Sequence, residues 1–211
     1  MKTVFKTEQE DFWAGEFGNK YIQRNNDDNI IAGNIALFSQ IFEKTNGIKT
    51  VLEYGANVGL NIVAIKQLLP NVETSAVEIN TRAVNELKKI ANLKTYHKSI
   101  LDFKIDYKRD FVFTCGVLIH INPDFLPQVY ELIYNSSNRY IFMTEYYNPI
   151  PIEVQYRNNS NKLFKRDFAG EMLDKFQDLT LVDYGFCYHR DYNFSKDDST
   201  WFLLEKKLYK K

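Results

Sequence analysis

The stretch Ile48–Asn61, Ile-Lys-Thr-Val-Leu-Glu-Tyr-Gly-Ala-Asn-Val-Gly-Leu-Asn, constrains this chain more than any other. Val51 and Leu52 suit a buried strand that Glu53 closes. Gly55 and Gly59 bracket a tight turn. From Asn61 the apolar residues Ile62, Ile65, Leu68 and Leu69 recur at helical spacing. A strand, a glycine turn and a helix N-terminus therefore follow one another. Glycine permits positive φ and close approach of a ligand, and the helix start offers unpaired N–H groups. The next predicted strand, Thr74–Ile79, carries Glu78 near its end. An acid there can accept hydrogen bonds from ribose hydroxyls.

Two cofactor classes use this layout. A dinucleotide site calls for G-x-G-x-x-G, so that the pyrophosphate rests on the helix end. Gly55, Asn57 and Gly59 instead give G-x-N-x-G with no third glycine. With Glu53 ahead of them they resemble motif I of S-adenosylmethionine (SAM)-dependent methyltransferases, E-x-G-x-x-x-G. That resemblance implies a Rossmann-like α/β sheet with helices on both faces and a C-terminal antiparallel hairpin. It implies SAM as cofactor and S-adenosylhomocysteine as product. It places the cofactor against Glu53, Gly55, Asn57, Gly59, Asn61, Glu78, Ile79, Ser99, Ile100, Cys115, Gly116, Val117 and His120. Asp102 follows the third strand and is a candidate for the adenine amino group.

The rest of the chain fits one α/β domain with additions. Its 211 residues suffice for a large core. Apolar residues make up 45% and charged residues 26%, and Lys plus Arg equals Asp plus Glu at 27 each, so bulk charge gives no nucleic-acid surface. No apolar run reaches membrane-spanning length, and no signal-peptide pattern opens the chain. Cys115 and Cys187 lie in apolar runs, as reduced thiols of a cytoplasmic protein would, and no Cys or His cluster suggests a metal. A predicted helix spans Asn29–Thr45. Strands are predicted at Lys94–His97, Phe111–Cys115, Arg139–Thr144, Leu179–Tyr188 and Thr200–Lys206; Thr81 can cap one helix, Pro123 suits the first turn of another, and a third starts at about Phe168.

Two segments exceed the bare sheet. Residues 9–26 carry Phe12, Trp13, Phe17 and Tyr21, interrupted by Gly15 and Gly18, and read as a lid over the ligand, with Trp13 and Tyr21 touching cofactor. Residues 1–47 thus form the lid and first helix, and 48–211 the cofactor-binding core. Within that core an aromatic insertion at about 145–170 lies on the ligand side of the sheet. The 14 tyrosines and 16 phenylalanines suit either an aromatic-lined pocket or core filling. Tyr146, Tyr147, Tyr156, Lys165 and Arg166 are substrate-binding candidates, the two cations for a carboxylate or phosphate. Proton removal from a hydroxyl or amine needs a base. His189, Glu145, His120 and Tyr147 are the leading candidates, with Tyr146 and Asp167 behind them.

Three stretches together support a finer resemblance: residues 12–18, 164–171, and 188–191 with 197–206. They are similar to the methylases associated with pseudaminic acid biosynthesis, a bacterial group. That resemblance implies methyl transfer to a small polar acceptor connected with a nonulosonic sugar. Asn158 stands where that group carries Gly. A non-catalytic SAM-binding partner protein and a protein or peptide acceptor are the competing readings.

Overall fold

The computed structural model describes residues 5–22 and 28–207. Seven strands form the central sheet: β1 Thr50–Tyr54, β2 Glu73–Glu78, β3 Leu93–His97, β4 Arg109–Cys115, β5 Ser137–Glu145, β8 Leu179–Cys187 and β9 Ser199–Lys206. Their order is β3-β2-β1-β4-β5-β9-β8. The first five are mutually parallel, and β9 runs antiparallel to both β5 and β8. This is a Rossmann-like sheet ended by an antiparallel pair.

The central strands β1, β4 and β5 are largely apolar on both faces because both faces are covered there. Successive residues alternate sides. Val51, Phe111, Phe113, Tyr140, Phe142 and Leu203 join Phe38 and Ile41 of α3 (Asp28–Phe42) and Ile62 and Ile65 of α4 (Leu60–Leu68) in one core. Their neighbours Leu52, Val112, Ile141, Met143 and Leu204 face Val129 and Ile133 of α6 (Leu126–Ser136) and Met172 of α7 (Phe168–Lys175). Between β2 and β3 lies α5, Thr81–Leu87, capped by Asn80 rather than by Thr81 as expected. The Asn80 side-chain oxygen accepts from the N–H groups of Arg82 and Ala83 at 2.9 and 3.2 Å, leaving Thr81 within the first turn.

The additions take defined shapes. The N-terminal segment is two short helices, α1 Glu8–Ala14 and α2 Glu16–Ile22. Residues 23–26 of the predicted lid lie outside the described residues. Gly15 separates the helices, but Gly18 does not break α2: a side chain there would run into the Trp13 carbonyl and the Asn80 amide. The insertion contains a two-stranded ribbon of its own, β6 Ile152–Tyr156 and β7 Asn159–Lys165, which the sequence pattern did not disclose. Arg157 and Asn158 form its two-residue tip, with φ of 49° and 66°. Asn tolerates this left-handed region, so Asn158 serves where a Gly was expected.

Arg157 is the poorer occupant of that turn, since a left-handed non-glycine residue costs about 1–2 kcal/mol. Arg157→Asn should stabilise the protein by about 0.5–1 kcal/mol in urea denaturation. A loss of stability would show that the Arg157 side chain contributes more than its backbone costs.

Candidate active site

One cavity of about 550 Å³ opens over the carboxyl ends of β1, β2, β4 and β5. This is where the strand order departs from β1 in both directions, the place at which open α/β sheets bind ligands. On the floor, Gly55, Asn57 and Gly59 all have positive φ, of 70°, 48° and 84°. Asn57 thus does conformationally what a second glycine would do. Its N–H donates to Glu78 Oε2 at 2.8 Å, and the N–H of Asn80 donates to Glu78 Oε1 at 2.7 Å. Glu78 is buried, yet it lines the cavity. Gly59 is excluded from the lining by its packing, since a Cβ there would meet Ile90 and Leu87 at 2.6 and 2.7 Å. Its role is to seat α4 close to α5.

Glu53 does not line the cavity either. Its Oε1 accepts the Asn61 side-chain N–H at 2.7 Å, and Asn61 forms the wall. Glu53 Oε2 is buried without a hydrogen-bond partner. Burial pushes the carboxyl up to about 8, opposed by Asn61 and reinforced by Glu78. Lys196, from the connection between β8 and β9, also lines the cavity and donates to Asn34 of α3.

Ile79, Ser99 and Ile100 form the next wall, and Cys115, Gly116, Val117 and His120 the wall opposite. Asp102 is not among them, because it pairs with Lys6 at 2.5 Å. Burial raises the Cys115 thiol well above its usual range, so it is no nucleophile. His120 Nδ1 lies 2.6 Å from the Lys162 carbonyl of β7. A carbonyl requires a donor, so Nδ1 carries the proton and Nε2 the lone pair. Burial pushes this imidazole down to about 4, leaving it neutral at physiological pH.

The roof is aromatic. Trp13 lies 4.6 Å from His120, 5.2 Å from Tyr21 and 6.3 Å from Tyr156, ring centre to ring centre. Tyr146 and His189 complete the mouth. His189 is exposed and its Nδ1 sits 2.8 Å from both oxygens of Asp198. Tyr146, His189, Asp197 and Asp198 also border a shallower recess of about 370 Å³ with Lys165.

Several expectations are corrected. Glu145 borders the cavity, but its carboxylate accepts from Thr114 Oγ1 at 2.9 Å and from the N–H groups of Val117 and Ile119 at 3.1 and 3.3 Å. It shapes the loop after β4 and is poorly placed to act as a base. Tyr147 points away, beside Phe202 at 6.1 Å, and is exposed. Arg166 pairs with Glu171 at 2.6 Å. Asp167 caps α7 through the Gly170 N–H at 2.8 Å. Sequence reasoning missed Gln9, Asn34, Arg157 and Lys196 in the lining. Asn34 carried a signal, being a polar residue inside an apolar helix face.

Neither a protein-family model nor a curated protein sequence matches the chain. Solved structures do match it in fold. Magnesium protoporphyrin IX methyltransferase (ChlM) from Synechocystis PCC 6803 with bound SAM superposes with a TM-score of 0.66 at 12% identity, over 97% of this chain and 100% of that one. The plantazolicin methyltransferase BpumL in complex with S-adenosylhomocysteine gives 0.61 at 13% identity, over 95% and 94%. The N-terminal domain of EvdMO1 with S-adenosylhomocysteine bound gives 0.60 at 12%, over 82% and 80%. The chain has the class I methyltransferase fold. Among the described residues no helix is long and apolar enough to cross a membrane, and no three His, Cys, Asp or Glu are placed to hold a metal.

Glu53 generates a pH prediction. Its carboxyl titrates at about 8 when folded and near 4.5 when unfolded. The folded state therefore holds a proton that the unfolded state releases, and stability falls as pH rises through that window. Glu145, pushed up to about 7, acts in the same sense, while His120 acts oppositely but only below its usual value near 6.5. Between about pH 6.5 and about pH 8.5, Glu53→Gln should lose about 1–2 kcal/mol less than the wild type. Parallel urea denaturation curves at the two pH values check this. Equal losses would mean that Glu53 is already ionised in the fold.

Proposed function

We propose that this protein is an enzyme that transfers a methyl group from SAM to a small polar acceptor. The observation that carries the reading is the single cavity joining Glu78 and the Gly55–Asn57 turn to the neutral, tautomer-fixed His120 under Trp13, Tyr21 and Tyr156. The residues fit the cofactor. Glu78 retains acceptor capacity for ribose hydroxyls. A cationic group beside the glycine turn would favour the charged form of the buried acid Glu78, and SAM carries both an ammonium and a sulfonium. Bound SAM would supply an electrophilic methyl, so the chain's own part is positioning and proton removal.

His120 Nε2 is the group we assign to accept the acceptor's proton, with Nδ1 held by the Lys162 carbonyl. Trp13, Tyr21 and Tyr156 offer ring faces for a sugar-like acceptor, and Arg157 and His189 stand at its mouth. A sugar or nonulosonic-acid-related metabolite is the acceptor class that the resemblance of residues 12–18 and 164–171 favours. The recess beside Tyr146 and Lys165 favours a second reading, a longer peptide acceptor reaching out of the cavity. SAM-dependent labelling of a cell extract, with mass analysis of the product, separates these and would also expose a non-catalytic SAM binder.

S-Adenosylhomocysteine should raise the melting temperature where NAD does not. His120→Asn should leave S-adenosylhomocysteine affinity within about threefold and lower turnover about 100- to 10,000-fold, the range of a lost general base. Turnover close to that of the wild type would remove His120 from the mechanism.

A further inference from the structure

Five non-glycine residues among those described have positive φ: Asn57, Asn92, Arg157, Asn158 and Asn161. Four are asparagine, whose short polar side chain tolerates the left-handed region. Arg157 is the exception, and its place in the β6–β7 turn suits Asn or Gly better. A backbone outlier held beside a ligand cavity points to a use for its side chain.

Arg157 is exposed and lines the cavity at its mouth. Its guanidinium lies 5.8 Å from the centre of the Tyr156 ring. Burial raises the Tyr156 phenol and Tyr21 adds to the rise, while the Arg157 charge at the hydroxyl opposes both. Among the described residues no carboxylate forms an ion pair with this guanidinium, whereas His189 at the same mouth has Asp198. The acids in the cavity lining are engaged by other groups. Glu10 accepts the Ser99 hydroxyl, Asp197 accepts the Tyr146 hydroxyl at 3.2 Å, Glu78 accepts two backbone N–H groups, and Glu145 holds the loop after β4. A guanidinium is a planar fork of donors that matches a carboxylate or a phosphate.

The Tyr156 ring connects this cation to the base, since its centre is 4.9 Å from that of His120. One small molecule lying along Tyr156 can therefore present one group to His120 and another to Arg157. We propose that the acceptor carries an anionic group, a carboxylate or a phosphate, which Arg157 binds at the mouth, and that the methyl goes to a separate hydroxyl or amine beside His120. The anion keeps its charge in the product. The price in backbone strain at the ribbon tip is thus set against recognition of the acceptor. This inference rests on the methyl-transfer reading above.

Label from methyl-labelled SAM is followed into a cell extract, and the labelled small-molecule product is passed over an anion exchanger at about pH 7, where carboxylates and phosphates are ionised. The product should be retained. Phosphatase should release it where the anion is a phosphate and leave it bound where it is a carboxylate. Arg157→Asn, which suits the turn, should incorporate label about tenfold or more below the wild type in dilute extract, with S-adenosylhomocysteine affinity by calorimetry within about threefold. A product that the exchanger does not retain, or equal incorporation by the variant at every dilution, overturns this inference and leaves methyl transfer standing. If the variant does not fold, judged by its melting, the charge of the product decides alone. Label in protein, or no label while S-adenosylhomocysteine still binds, overturns the small-acceptor reading and this one with it.

Discussion

The buried carboxylate of Glu145 holds the site's geometry together. It ends β5 and accepts one hydroxyl and two backbone N–H groups from the end of β4 and the turn beyond. The Gly116 N–H adds a bond to the Thr144 carbonyl at 2.9 Å, and the Thr144 hydroxyl meets Ser199 of β9 at 2.9 Å. Three neighbouring strands are thereby fixed where the chain leaves the sheet. A carboxylate buried this deeply is tolerated because donors surround it, and burial still pushes it up to about 7. Cys115, Val117 and His120 reach the cavity from the backbone that Glu145 orders.

The sheet and the cofactor end were legible in the sequence for one reason. Buried parallel strands are continuously apolar, as in Phe111–Phe113 and Tyr140–Met143, and the glycine turn follows β1 while Glu78 ends the neighbouring β2. The β6–β7 ribbon was illegible because Asn158, Asn159, Ser160 and Asn161 give its tip and the start of β7 no apolar alternation. Side-chain commitments were illegible too. Asp102, Asp167 and Arg166 looked available only because their partners, Lys6, the Gly170 N–H and Glu171, are set by the fold. Likewise nothing local separates Tyr146, at the mouth, from Tyr147, which packs beside Phe202. His120 was legible as a residue of interest, but its tautomer needed the Lys162 carbonyl, distant in the chain.

The roof is built differently from the floor. Its charged links, Glu8 to Lys162 at 2.7 Å among them, are partly exposed and worth little individually. Its cohesion comes from rings: Phe12 on Phe17 at 4.0 Å, and Trp13 against Tyr21, His120 and Tyr156. The Asn80 side chain links this cluster to the end of β2 by donating to the Trp13 carbonyl at 3.0 Å. The cover therefore depends on the same strand end that carries Glu78.

The β6–β7 ribbon pairs only with itself and has no register to keep with the central sheet. Residues can therefore be inserted two at a time, one per strand, without displacing any strand of the core. Each such pair would move the Arg157–Asn158 tip outward by about 3.4 Å. The reach of the cavity mouth is thus a length set by a local count of residues, free to change in small steps only on the tip side of Asn161 and Lys162, whose carbonyls hold Gln9 and His120 in place.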